Sequence, residues 1–267
     1  MYRLERFVNR IGSLGRPLPD PFPSFEFNRI TFRQGQTSMI AGKPGSFKSV
    51  LALNMVATWA ECNKSILYFS ADSDERTVAK RMSAILTGDA DTLVERRFAD
   101  KDTGRYVAAL ERLCNVHFVY ESLDMAGIAS RFASFEAVYG EWPDVAFIDN
   151  LIDYADSAGD WVSQIELTKQ LDVLARETRA HICILHHAKV DRDNSGRPPA
   201  DYEIQGKVTQ IPRLVLTCAA SDMALYIACV KNTNGPQDPL AQSFMQFWVH
   251  ENLAVDDISY GMETGKK

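Results

Sequence analysis

Between residues 42 and 49 the chain reads GKPGSFKS, a glycine-rich turn closed by a lysine and a hydroxyl residue. It nearly matches the phosphate-cradling pattern G-x-x-x-x-G-K-[ST], with Phe47 where the second glycine belongs. A strand that turns tightly into a helix leaves backbone N–H groups unpaired and aimed at one point, which phosphate oxygens can fill. The expected contacts are Gly42, Lys43, Pro44, Gly45, Ser46, Phe47, Lys48, Ser49 and Val50. Gly42 and Gly45 supply backbone freedom. Lys48 would neutralise the β- and γ-phosphates, and the Ser49 hydroxyl would complete a Mg²⁺ shell. Such a turn can also be merely a turn, but the apolar run from Thr37 to Ala41, the helical pattern from Val50 to Ala60 and a second strand from Ser65 to Ser70 supply the context the motif needs.

Phosphate transfer also needs a carboxylate for the metal's water shell and a group that activates or positions water. Asp149 ends the apolar run Val145 to Ile148, where open α/β sheets place ligands, and is expected to serve the metal with Ser49; the other reading is a strand-ending cap. Asp72 lies just past the strand expected to neighbour the cradle strand, and is the expected base toward an attacking water. Asp74 and Glu75 compete for that role or cap the next helix. His186 and His187 end the strand Ile182 to Leu185; with no further ligand at short spacing they do not read as a zinc site, and at most one faces the cradle.

Strands alternate with helical patterns at Arg76 to Leu86, Asp102 to Leu113, Asp124 to Tyr139 and Trp161 to Arg179. This predicts an α/β fold, a mostly parallel sheet covered on both faces. The runs Arg213 to Thr217, Ala224 to Val230 and Ser243 to His250 predict antiparallel strands added at the C-terminal edge. Residues 1–24 read as an amphipathic helix and a proline-rich linker, 25–258 as one domain and 259–267 as a polar tail. That helix either folds back on its own domain or docks on a neighbouring subunit. The net charge of −6 argues against a generally basic nucleic-acid surface without excluding a local basic loop. Five cysteines without a C-x-x-C pair suit buried free thiols in a reducing compartment, and neither a signal peptide nor a membrane-spanning run is read, so a cytoplasmic location without membrane partners is expected.

Taken together, the motifs resemble the RecA-fold ATPases, among them the ATPase domain of DnaB-like hexameric replicative helicases and plasmid RepA-type helicases, from about Phe25 to Val249. GKPGSFKS is similar to the family's GRPSMGKT at Gly42, Pro44, Lys48 and the hydroxyl of Ser49. Ser70-Ala71-Asp72 stands where the family has Ser-Leu-Glu, which places the catalytic base on Asp72 with a side chain one methylene shorter. Ile148 to Leu151 looks like the Walker B segment, and His187 stands where a γ-phosphate-sensing glutamine does in DnaB-like proteins. KNTNGP at Lys231 to Pro236 resembles K-N-R-N-G-P, whose Lys and Arg reach the ATP of the neighbouring subunit. Thr233 replaces that arginine, leaving Lys231 as the motif's only trans cation, and a lysine does not replace a guanidinium fork. With Phe47, this departure predicts weak turnover.

The resemblance implies ATP and Mg²⁺ as cofactors, single-stranded DNA as partner, and assembly into a ring or filament, with other replication or recombination proteins as further partners. Of the two candidate DNA loops, residues 152–164 are acidic and would repel phosphate. The segment 189–207 carries Lys189, Arg192, Arg197 and Lys207, the expected backbone contacts, although Asp191, Asp193, Asp201 and Glu203 offset them. The function expected is a helicase-like or DNA-translocating ATPase; the alternative is a nucleotide-gated mediator, loader or regulator with little turnover.

Overall fold

The computed structural model describes residues 15–154, 160–189 and 196–259. The first helix of the sequence reading, most of the polar tail and Arg192 lie outside them. In chain order the elements are α1 (Pro23–Phe27), β1 (Thr37–Gly42), α2 (Lys48–Glu61), β2 (Ile66–Ser70), α3 (Glu75–Thr87), α4 (Asp91–Ala99), α5 (Gly104–Leu110), β3 (Val116–Val119) and α6 (Met125–Tyr139). They continue with β4 (Val145–Asp149), α7 (Trp161–Thr178), β5 (His181–His187), β6 (Leu214–Ser221), β7 (Ala224–Asn232), β8 (Met245–Val249) and β9 (Val255–Asp257).

The strands form one sheet in the order β3-β2-β4-β5-β1-β6-β7-β8-β9, parallel from β3 to β6 and antiparallel from β6 to β9. This is a RecA-like α/β architecture with the expected antiparallel C-terminal edge. One expectation is corrected: β2 does not neighbour β1, because β4 and β5 lie between them. The sequence shows each strand's apolar run but not the order in which runs pair. Three elements escaped the sequence reading: α1, which begins inside the stretch read as an extended proline-rich linker and has a proline in its first turn, the mostly polar α4 and the three-residue β9.

β1, β2 and β4 are buried at every position, as strands covered on both faces must be. Their side chains alternate between two cores. Ile40, Tyr68, Phe147 and Leu185 enter the core that also holds Leu51, Met55 and Trp59 of α2. Met39, Phe69, Ile148 and Ile184 enter the other, with Phe132 of α6 and Leu171 of α7. The period of two therefore assigns faces to the polar residues that end the strands. Asp149 follows Val145 and Phe147 onto the α2 face; His187 follows Cys183 and Leu185 there, and His186 falls on the opposite face.

The proline-rich stretch lies on the domain. Leu18 and Phe22 are buried, Leu18 N–H donates to the Phe32 carbonyl at 2.8 Å, and the Trp59 indole donates to the Pro19 carbonyl at 2.7 Å. Cys183 and Cys218 are buried free thiols, whereas Cys62 and Cys114 are exposed. No helix among the described residues is long and apolar enough to cross a membrane.

Candidate functional site

β1 brings Gly42 to the C-terminal edge of the parallel strands, in register with His187 on β5 and Cys218 on β6. A side chain is excluded there: a Cβ on Gly42 would lie 2.4 Å from Ser46 Oγ and 2.7 Å from the Cys218 carbonyl. Gly45 turns the chain at φ +77°. Phe47 precedes α2 with φ 59°, and no side chain caps the helix start. The first-turn N–H groups therefore face outward for an anion. A left-handed phenylalanine costs about 1–2 kcal/mol. Packing of its half-buried ring against the α2 core offsets part of that. The ring is thus turned to the protein interior.

Lys48 is buried at 6% exposure, and its ammonium donates to the Gly42 and Lys43 carbonyls, each at 3.0 Å. Burial holds its pKa below the usual lysine range, against the pull of Asp149 and Asp72. Ser49 Oγ donates to Asp149 Oδ1 at 3.2 Å, and the Tyr68 hydroxyl donates to Asp149 Oδ2 at 2.6 Å. Both Asp149 oxygens are thereby held in place in a buried setting. Burial raises the Asp149 pKa while these two donors lower it, and burial beside Asp149 raises that of Tyr68.

Asp72 is exposed at the same edge, where Asn150 Nδ2 donates to its Oδ2 at 3.4 Å. Asp74, its competitor, is the N-cap of α3, accepting from Thr77 N–H at 2.7 Å. Glu75 opens that helix. His187 is half-buried on the α2 face, and burial together with the nearby Lys48 lowers its pKa. Its Nδ1, Ser46 Oγ and Asn150 Oδ1 are buried without hydrogen-bond partners among the described residues. His186 is fully buried, and its Nε2 donates to the Gln205 carbonyl at 3.0 Å.

This donor set fits a Mg²⁺-bound phosphate chain. Ser49 and Asp149 offer hard oxygens of the kind Mg²⁺ takes, a glycine keeps the cradle clear, and Ser46 Oγ within the loop has no partner among the described residues. When bound, the metal would neutralise phosphate charge. Ser49 and, through water, Asp149 are the residues that would hold it.

Lys231 does not join this group. It pairs with Val215, which is level with Met39 on β1, so it lies short of Gly42 and two strands away. Its ammonium donates to the Thr209 and Gln210 carbonyls at 2.7 and 2.9 Å. Beside it Thr233 spends both N–H and hydroxyl on the Arg213 carbonyl, at 2.9 and 3.0 Å, and the Arg213 side chain is exposed. Lys189, Arg197 and Lys207 are exposed, and Lys189 and Lys207 line one cleft that Arg197 does not.

Sequence reasoning missed Tyr68, Asn150 and Arg213. Tyr68 reads as one more apolar strand residue, and only the β2–β4 pairing brings its face to Asp149. Asn150 follows Asp149 and was legible only as part of IDNL. Arg213 becomes notable once β6 and β7 are seen to pair.

A glycine cradle at the end of the central strand, with a hydroxyl and a strand-end carboxylate beside it, defines a RecA-type P-loop protein. The chain belongs to the AAA domain family, which matches residues 30–193. It is similar to the Gene 65 proteins of Mycobacterium phage L5 (27% identical, 97% of this chain and 100% of that one) and Mycobacterium phage D29 (26%, 83% and 99%). Among solved structures, an isolated ATPase domain superposes with TM-score 0.77 at 14% identity, covering 95% of both chains. A DnaB-like replicative helicase, solved for its interactions with primase, gives TM-score 0.76 at 14% identity over 94% of this chain and 64% of that one. A KaiC-like protein of Pyrococcus horikoshii gives 0.64 at 13%, over 91% and 99%.

Proposed function

We propose that the chain is a Mg²⁺-dependent ATPase of the RecA type that works on single-stranded DNA as an assembly, each nucleotide site being completed by a neighbour. The observation that carries this is Asp149 held between Ser49 and Tyr68 beside Lys48. In the reaction Lys48 would exchange its two loop carbonyls for phosphate oxygens. Asp72, which Asn150 positions, would take the proton of the attacking water, and His187 would meet the γ-phosphate side of the cradle. The capping role of Asp74 supports this choice of base. Lys231 and the exposed Arg213 lie away from the chain's own cradle, which supports their acting on a neighbour's phosphates. The DnaB-like neighbour in fold supports work on DNA.

A second reading, a nucleotide-gated mediator or loader with slow turnover, is favoured by Thr233, whose hydroxyl is committed to the Arg213 carbonyl where a cation would serve hydrolysis. The ATPase rate with and without single-stranded DNA separates the two. A several-fold rise is expected of the motor; tight Mg-ATP binding with turnover that DNA leaves unchanged would establish the mediator. Lys48→Ala should abolish Mg-ATP binding under both, and a fully binding variant would overturn the site.

A further inference from the structure

We propose that the apolar cleft beside the loop after β7 is the seat of the chain's own Tyr260 and Met262, which brace that loop. This goes beyond the ATPase reading and does not depend on it.

The cleft has a volume of about 340 Å³ and lies between α1, β7, β8 and residues 236–244. Phe27, Ile227, Cys229, Pro236, Phe244 and Met245 are in its lining. Ile227 and Met245 form a buried floor, whereas Phe27 is 67% and Phe244 46% exposed at the rim. Aromatic faces placed in this way gain from cover. The volume is at the low end of the roughly 300–1,000 Å³ of ligand pockets, which suits a pair of side chains.

The chain itself leads into this cleft. Ser24 donates to Asp257 from its N–H at 2.6 Å and from its hydroxyl at 2.5 Å, which ties β9 to the start of α1. Two residues on, Gln246 N–H donates to Ser259 Oγ at 2.7 Å, and that hydroxyl donates to the Gln246 carbonyl at 3.2 Å. Ser259 is thereby fixed in the lining of the cleft. Residues 260–267 lie outside the described residues, and their sequence is YGMETGKK. The two large apolar residues come first, Tyr260 one step after Ser259 and Met262 three, so even an extended chain keeps them within about 11 Å of it. Lys266 and Lys267 come last. Asp238 in the lining and Glu26 on α1 form no ion pair among the described residues, so the charge at the rim complements these lysines.

One wall of the cleft is the loop that follows Lys231. Asp238 N–H donates to the Cys229 carbonyl at 2.8 Å, and Asn232 N–H donates to Gln237 Oε1 at 3.0 Å. Pro236, Gln237 and Asp238 all line the cleft, so a side chain seated there packs against the end of KNTNGP and limits its movement.

Cys229 is the reporter that tests this. It is half-buried in the lining, and burial pushes its thiol up to about 12. In a Cys62→Ser/Cys114→Ser background, which removes the exposed thiols, a fluorescent maleimide should label Cys229 slowly, because only an accessible thiolate reacts. Peptide mass analysis distinguishes this label from any on the buried Cys183 and Cys218. Adding Tyr260→Ala/Met262→Ala should raise the rate about tenfold, the equivalent of about 1.4 kcal/mol of cover. Tyr260→Phe should leave it slow, since the lining asks for an apolar ring. Backbone hydrogen exchange in residues 232–238 should quicken in the double alanine variant. Equal labelling rates with and without the two alanines would overturn the seat. Faster labelling with unchanged exchange in the loop would overturn the brace. Protection of Cys229 that is lost when the unaltered protein is diluted would place a neighbouring subunit in the cleft, and the proposal would be wrong. Neither readout uses ATP, so failure here leaves the ATPase reading standing.

Discussion

Tyr68 is the side chain whose role is most cleanly testable, because Phe keeps everything except the hydroxyl. Its ring stacks on Phe147 at 5.2 Å and lies tilted against Phe118 at 5.4 Å, contacts that Tyr68→Phe preserves. The variant leaves Asp149 Oδ2 buried without its donor, which costs about 1–3 kcal/mol. Equilibrium unfolding should show that loss, and Mg²⁺-dependent nucleotide binding should weaken with it; an unchanged unfolding midpoint would mean the hydroxyl contributes nothing to Asp149. Phe47 calls for the opposite expectation. Because its ring packs on the core and its strain is in the backbone, Phe47→Gly should change Mg-ATP affinity by less than about threefold. Titration with a fluorescent nucleotide checks this, and a tenfold gain would show that the ring crowds the cradle.

Strand β5 concentrates three histidines with different duties. His181 Nδ1 donates to the Arg33 carbonyl and its Nε2 accepts from the Ser38 hydroxyl, both at 2.9 Å, so the buried ring is neutral. Burial moves His181 and His186 each from 6.5 down to about 4. The sign follows from linkage. Below 6.5 the unfolded chain takes up protons that the native strand refuses, so stability is fully present above 6.5 and is lost as pH falls toward about 4. Denaturant midpoints should already fall between pH 6.5 and about 5, above the ordinary carboxylate range, with a shallower fall in His181→Gln. A flat profile over that window would show these rings to be solvated. The sequence reading could place such polar residues at a strand end but not divide their duties, since facing depends on which core the alternate side chains join.

Across the whole molecule, the cradle and the Lys231–Arg213 pair do not meet, and this separation predicts complementation between subunits. Lys48→Ala and the double variant Lys231→Ala/Arg213→Ala should each lack ATPase activity alone. Mixed, they should regain part of it, because the Lys48→Ala subunit offers intact cations to the double variant's intact cradle. An absence of recovery in assemblies shown to contain both would mean that these cations do not act in trans. Arg213 matters here because Thr233 cannot supply charge, and a guanidinium is the group best shaped for phosphate oxygens.

Local rules wrote much of this fold into the chain. Apolar runs of strand length separated by helical patterns required a sheet covered on both faces, and GKPGSFKS required a turn whose N–H groups point outward, since both follow from period and backbone geometry. Asp149, Lys48 and Ser49 were legible because each lies next to such a run. Pairing order and facing were not, because they depend on contacts between residues far apart in sequence. Placing β4 and β5 between β1 and β2 was one such decision. Bringing Tyr68 to Asp149 was another, as were turning the Phe47 ring inward and setting Arg213 beside Thr233. A strand records which residues can be buried, but which neighbour buries them is settled by the free energy of the whole packed sheet.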